Sequence, residues 1–421
     1  MSKLKLAIIC HFSCPSIRKE LNLHDRVYSD FALWIPNIIN GLKTRKDIEL
    51  HVISPHYGLK KSVQTFELDG VFYYFYRPWF YGQLGRLEYW LEHYQGCLCT
   101  PSYFCRKKFV KTFLHKINPD LVNLIGAENL DYSIAALDVK DIPTILHCQT
   151  VYANPDRKKN TGVVFKSRWN TEVKIIRHIK YIACSGRMYY DLIKGYNPDS
   201  IVFPRKWPAA DFPNVPDVPK KYDFAYFAGG FNQGKGFNNA IEAVAIAVKK
   251  HPNLKFLGIG DWDEHNMMYK DRIQELGIER NVEIHPRFPQ YIDMLRYVKQ
   301  AQYALLPFKM DVVSGAMIEA LRLGLPVVAF RTSGTPALNE KRETILISDI
   351  DDNDSLAANM LRLYEDAELA DKLRANGAEF IKELDEKNAH NLDEMIAQYK
   401  AVIAHYRTGS PIPQFLLYDN K

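Results

Sequence analysis

Short, wholly apolar runs alternate along the chain with segments whose apolar residues recur every three or four positions. LKLAIIC, ELHVIS, VFYYFYR, DLVNLIG, PTILHCQ and KYIACS occupy the first half, with FALWIPNIINGL as a helical segment after the first run. Continuous apolar runs are the pattern of strands buried on both faces, and strands alternating with helices build βαβ units around a parallel sheet. The series restarts with YDFAYFA, LKFLGIG, VEIHPRF, AQYALLPF, LPVVAF and TILIS. LDEMIAQYKAVIAHY reads as a late helix, and the tail from Gly409 as irregular.

Between the two series lies VFPRKWPAADFPNVPDVPKKY, whose prolines donate no ladder hydrogen bonds and interrupt helices. The chain therefore divides into a first α/β domain over 1–205, a Pro-rich linker over 206–220 and a second α/β domain over 221–395. Residues 396–421 form a helix and tail expected to pack back on the first domain. A length of 421 residues also exceeds what one core fills.

Charge sharpens this division. The net +6 resolves into +12 for residues 1–210, with 30 basic against 18 acidic side chains, and −6 for residues 211–421, with 25 against 31. The halves are thus expected to face different partners. The start MSKLKLAIIC has only a short apolar run before His11, and no stretch is long enough to span a bilayer, so a cytoplasmic protein is expected. The odd set of seven cysteines then reads as free thiols. Cys97, Cys99 and Cys105 find no second Cys/His pair at zinc spacing, and no metal site is expected.

Three segments carry chemistry. FAGGFNQGKGF precedes a helical pattern, and a glycine loop between strand and helix brings backbone N–H groups and a helix N-terminus to an anion, with Lys235 adding a charge. Gly229, Gly234 and Lys235 also begin a Walker A loop, but Gly236 stands where the magnesium-binding Ser/Thr belongs. In DVVSGAMIEALRLGLPVVAF, Asp311 and Glu319 are suited to accept hydrogen bonds from sugar or ribose hydroxyls, while Ser314, Gly315 and Ala316 let amides meet a phosphate. RTSGTPALNEKRE supplies a turn through Gly334 and Pro336. Plain alternatives are a flexible connection, solvated helix charges and a surface turn.

From Gly229 to roughly residue 395 the ordered set resembles the nucleotide-binding domain of retaining GT-B glycosyltransferases of family 4. It comprises the glycine-lysine loop, a G-x-G-D turn at Gly258, Gly260 and Asp261, the acid-x7-Glu segment running into GLPVV, and the Gly-x-Pro loop. The resemblance implies two Rossmann-like domains with parallel sheets facing each other across a cleft. It puts Gly229, Gly230 and Lys235 at the donor diphosphate, Glu319 on the ribose, and Asp311 on the transferred sugar. The backbone of Ser314, Gly315 and Ala316 falls beside the phosphates, and Arg287 and Phe288 in the loop that holds the base. His147, closing PTILHCQ, falls where the family often places a histidine near the transferred sugar; a structural strand-end histidine is the alternative. The implied activity is metal-independent transfer, with retention, from a UDP- or GDP-linked sugar to a glycan or lipid-linked acceptor in surface polysaccharide synthesis, without a cofactor.

Departures from the family pattern qualify this. Gly230 stands where an arginine is usual, Asp311 replaces a glutamate, and HFSCPSIRKELNLHDRVYSDF replaces the usual Gly-Gly loop. Arg287, Arg205 and Lys206 are candidates to restore the missing cation. A non-catalytic sugar-nucleotide-binding protein and a P-loop NTPase are the competing readings. DWD at 261–263 and DDND at 351–354 read as solvated loops. In the basic half, VFYYFYRPWFYGQLGRLEYWLEHY and CRKKFVKTFLHK suit peripheral contact with an anionic membrane, with an aromatic core strand and a solvated basic helix as the alternative. No nucleic-acid module is present.

Overall fold

The computed structural model describes residues 3–23, 30–32, 34–78, 83, 86–87, 90–91, 101–154, 163–208, 212–261, 267–309 and 313–418. The chain forms two units: residues 1–211 together with 388–421, and residues 212–387. Each is an α/β unit whose strands are mostly continuous apolar runs.

Unit 1 holds an eight-stranded sheet made of β1 (Leu4–Ile9), β2 (Ile48–Pro55), β3 (Val63–Leu68), β4 (Val71–Tyr76), β5 (Leu121–Ile125), β6 (Thr144–His147), β7 (Tyr181–Cys184) and β8 (Ile201–Pro204). The order is β3-β4-β2-β1-β5-β6-β7-β8. All pairs are parallel except β3 with β4. β1 pairs with β2 on one side and β5 on the other, so strand order reverses at β1. In open α/β sheets ligands bind outside the carboxyl ends of the strands at such a reversal. There, His11 and Asn129, from the loops after β1 and β5, meet through Nδ1 and Nδ2 at 3.2 Å.

The aromatic run of β4 is core: Tyr73, Tyr74, Phe75 and Tyr76 are all buried. Those rings are therefore not offered to a membrane surface, and most of the remaining stretch to residue 94 lies outside the described residues. CRKKFVKTFLHK lies in the helix Pro101–Ile117, where Arg106 is fully buried and Lys107 bonds Asp138 at 3.1 Å. No helix among the described residues is long and apolar enough to cross a membrane. Cys10, Cys14, Cys148 and Cys184 are free thiols; Cys97 and Cys99 lie outside the described residues.

Unit 2 holds six parallel strands: β9 (Tyr222–Phe227), β10 (Phe256–Gly260), β11 (Val282–Pro286), β12 (Ala301–Leu306), β13 (Val327–Phe330) and β14 (Ile345–Ser348). Their order, β11-β10-β9-β12-β13-β14, reverses between β9 and β12.

The unit boundaries differ from the linker read in the sequence. Trp207 belongs to unit 1, where its ring lies parallel to Trp34 and its carbonyl accepts from Asn391 Nδ2 at 2.8 Å. The return point is Asn388, at the end of the helix Ala367–Asn388. The helix Asn391–Thr408 then buries Met395, Ile396, Tyr399 and Val402 in the unit 1 core, and Gln398 Nε2 donates to the Pro204 carbonyl at 2.9 Å. Ring stacking and backbone bonds, not proline content, set where each unit ends.

Candidate functional site

The reversal between β9 and β12 brings two loops together. After β9, Asn232 accepts from the Lys235 amide at 2.9 Å and starts a short 3-10 turn over Gln233–Lys235. Tyr226 Oη donates to the Lys235 carbonyl at 3.1 Å. The Lys309 amide, beyond β12, donates to the Gly234 carbonyl at 3.0 Å. Gly236 closes the loop at φ +65° and opens the helix Phe237–Lys250. A Cβ there would lie 1.9 Å from the Pro307 carbonyl oxygen. No serine or threonine fits, so the magnesium-binding hydroxyl of a P-loop has no counterpart at this position.

These bonds hold the Lys235 backbone, and its Nζ lies 4.9 Å from the centre of the Phe308 ring. A Cβ at Gly229 would meet open space, and one at Gly230 would approach only Asp261, at 3.9 Å. Arg287 Nη1 lies 3.9 Å from the same Asp261 carboxylate. Of the three basic residues considered as substitutes for the usual arginine, Arg287 is thus the one beside Gly230. Arg205 and Lys206 are engaged in unit 1, with the Cys148 carbonyl at 2.9 Å and Glu394 at 2.8 Å.

Across the reversal, Ser314 caps the helix Gly315–Arg322 by accepting from the Ala316 amide at 3.2 Å. One turn on, Glu319 is half-buried, and Tyr291 Oη donates to its Oε1 at 2.8 Å. Burial holds the Glu319 carboxyl above the usual carboxylate range, against the bond from Tyr291. A ligand with hydroxyl donors would relieve that penalty, because each new hydrogen bond favours the charged form. Asp311, paired with Glu319 in the sequence reading, lies outside the described residues.

Beyond β11, the rings of His285 and Phe288 stack at 4.0 Å and 2°, with Tyr297 packed 5.2 Å from Phe288. His285 Nδ1 donates to the Pro286 carbonyl at 2.6 Å. In the Gly-x-Pro loop, Thr335 Oγ1 accepts from the Thr332 amide at 2.8 Å and donates to the Phe330 carbonyl at 3.0 Å, fixing the turn that contains Gly334 and Pro336. In DDND, Asp351 pairs with Lys309, and Asp352 caps the helix Asn353–Glu365.

In unit 1, His147 ends β6 and is fully buried. Asn123 Nδ2 donates to Tyr399 Oη at 2.7 Å, which leaves Asn123 Oδ1 to accept from His147 Nδ1 at 2.7 Å. Nε2 is thereby the unprotonated nitrogen, and it has no partner among the described residues. Burial, reinforced by Arg205, holds the His147 imidazole down at about 3. Burial and Arg18 hold His56 down at about 4.

A pH prediction follows from these two groups. In the unfolded chain these two imidazoles take up protons as pH falls through about 6.5, whereas in folded unit 1 both stay neutral until about pH 4. Their contribution to stability is complete above pH 6.5 and is lost at about 2–3 kcal/mol per pH unit as pH falls below it. Urea midpoints at pH 7.5 and 5.5 check this; equal midpoints would contradict it.

Three polar partners escaped sequence reading: Tyr291, Asn232 and Asn123. Asn123 did leave a signal, because an amide inside the apolar run LVNLI must be bonded where it is buried. Tyr291 and Asn232 left none, being ordinary loop and helix-start residues.

With this geometry in place, comparison with known proteins becomes informative. Residues 210–380 match the family Glycosyl transferases group 1. An uncharacterized glycosyltransferase of Haemophilus influenzae is 26% identical over 176 residues, 40% of this chain and 45% of that protein. The 2-deoxystreptamine N-acetyl-D-glucosaminyltransferase of Niallia circulans is 23% identical over 148 residues, 35% of this chain and 38% of that protein. The chain thus matches less than half the length of these curated relatives. Among solved structures, sucrose-phosphate synthase from Thermosynechococcus elongatus superposes with a TM-score of 0.71 at 15% identity, covering 95% of this chain and 100% of that one. Anabaena HepE, solved with UDP and glucose, gives 0.62 at 14% identity, covering 94% and 99%. Both units together therefore have the GT-B fold.

Proposed function

We propose that the protein is a retaining, metal-independent glycosyltransferase of family 4. It takes a UDP- or GDP-linked sugar as donor and a hydroxyl of a glycan or lipid-linked molecule as acceptor, in the synthesis of a surface polysaccharide. The observation that carries this reading is that the Lys235 loop and the helix bearing Glu319 follow β9 and β12, the two strands at the reversal, inside the segment that matches the group 1 family. In the proposed reaction the bond from the anomeric carbon to the diphosphate oxygen breaks while the bond to the acceptor oxygen forms on the same face. The acceptor proton passes to the departing phosphate, so no enzymic base is needed. Lys235, Arg287 and the amides at Ser314, Gly315 and Ala316 oppose the charge that develops on the diphosphate. Glu319 accepts from the ribose hydroxyls, Asp311 serves the transferred sugar, and Phe288 lies against the base, whereas His147, fully buried and bonded to Asn123, fits the alternative of a structural strand-end histidine.

A panel of nucleoside diphosphate sugars in a thermal-shift assay tests the donor site, since a ligand of the folded state raises apparent stability. One or more members should raise the melting temperature, and Glu319→Ala should remove most of that shift. No shift with any member would sink the donor assignment. Gly230, by removing a cation, favours one competing reading, a protein that binds the sugar nucleotide without turning it over. Binding without hydrolysis or transfer to any acceptor pool would establish that reading instead.

A further inference from the structure

Unit 1 carries an aromatic group that the donor reading leaves unused. Trp34 opens the helix Trp34–Lys43 and keeps 41% of its surface exposed. Exposed as it is, it is held on two sides: Nε1 donates to Gln149 Oε1 at 2.8 Å, and its ring lies parallel to that of Trp207, with centres 6.2 Å apart and planes within 5°. The Arg205 guanidinium covers the Trp207 ring at 3.9 Å.

The supports are themselves fixed. Gln149 Nε2 donates to the Ile125 carbonyl, Glu128 Oε1 and Tyr132 Oη at 3.2, 3.2 and 3.3 Å, which leaves Oε1 as the acceptor facing the indole. Arg205 Nη1 donates to the Cys148 and Gln149 carbonyls at 2.9 and 3.3 Å. Gln149 follows β6, while Arg205 and Trp207 follow β8, so the group stands at the carboxyl edge of the sheet. That is the edge at which open α/β sheets receive ligands.

The chemistry of the exposed side is restricted. With its N–H consumed internally, the indole offers only its π surface, which attracts cations or polarised C–H bonds. The guanidinium beside it already supplies positive charge and opposes a cationic ligand. A single half-exposed ring is far smaller than the apolar patches of several hundred Å² that mark protein or lipid docking surfaces. A pyranose, whose axial C–H bonds form a weakly apolar face ringed by hydroxyls, meets both conditions.

We propose that Trp34 is the platform on which a pyranose ring of the acceptor stacks. The word acceptor rests on the glycosyl-transfer reading; the binding of a pyranose does not.

Saturation-transfer difference NMR on the full chain provides the test, with the α and β methyl glycosides of glucose, galactose, mannose and N-acetylglucosamine as probes. Ring C–H protons of at least one glycoside should receive saturation in the wild type. Trp34→Leu, which still covers Trp207 but has no π face, should lose the signal. Trp34→Phe, which keeps a smaller ring in place and serves if the leucine variant melts early, should retain it with an apparent Kd weaker by roughly 3–10-fold. Wild-type protein that saturates no glycoside, or variants that bind as tightly as wild type, would overturn the proposal. Thermal shifts by UDP and GDP, run in parallel, separate the two readings: loss of nucleotide binding with pyranoside saturation intact sinks the donor assignment alone.

Discussion

Lys235→Ala is expected to lower donor turnover by about 10²–10³-fold, the usual cost of removing one preorganised group that faces charge developing in a transition state. Its melting temperature without ligand should stay within about 2 °C of wild type. The two halves of this expectation have separate origins. The fold uses the Lys235 backbone, through Asn232 and Tyr226, and both bonds survive the substitution. On the proposed reading, transfer uses the ammonium, and Gly230 supplies no second cation from the same loop. Lys235→Arg keeps the charge and should recover part of the activity. Steady-state rates with the nucleotide sugar that gives the largest thermal shift check the series, and an alanine variant that turns over at the wild-type rate would remove Lys235 from the mechanism.

Gly236→Ala is expected to cost about 2–5 kcal/mol of stability in unit 2. A side chain in the left-handed region costs about 1–2 kcal/mol, and overpacking typically adds another 1–3. Here the Cβ would meet the Pro307 backbone carbonyl at 1.9 Å, so the strain cannot be relieved by rotating a side chain. Relief requires the loop before Lys309 to move away from the loop that holds Lys235, and donor binding should fall together with stability. Urea unfolding with Lys235→Ala as the control measures the stability loss; a midpoint equal to the control's would show that the two loops are not locked as described.

Much of this was legible in the residues. The runs LVNLI, VVAF and ILIS, almost wholly apolar, became buried parallel strands because a strand covered on both faces shows few polar positions. β3 was not legible: VQTFEL alternates half-buried and exposed residues as an antiparallel edge strand does, and its polar positions hid it among loops. The Lys235 loop was read correctly as a strand-to-helix connection because glycine and lysine spacing is local. The surroundings of Glu319 and His147 were not readable, because Tyr291 stands 28 residues from Glu319 and Tyr399 stands 276 residues from Asn123, the partner of His147, so tertiary packing rather than spacing brings them together. The unit boundary was misplaced for a similar reason, since Trp207 is held by Trp34 and Asn391, both distant in sequence.

The return of the helix Asn391–Thr408 to unit 1 bears on the order in which the protein is made. Unit 2 is contiguous in sequence, so everything it needs has been synthesised by Lys387. Unit 1 lacks Met395, Tyr399 and Val402 from its core until the helix Asn391–Thr408 has emerged. Until then Asn123, which holds His147, waits for the hydroxyl of Tyr399, so unit 1, begun before unit 2, is completed after it.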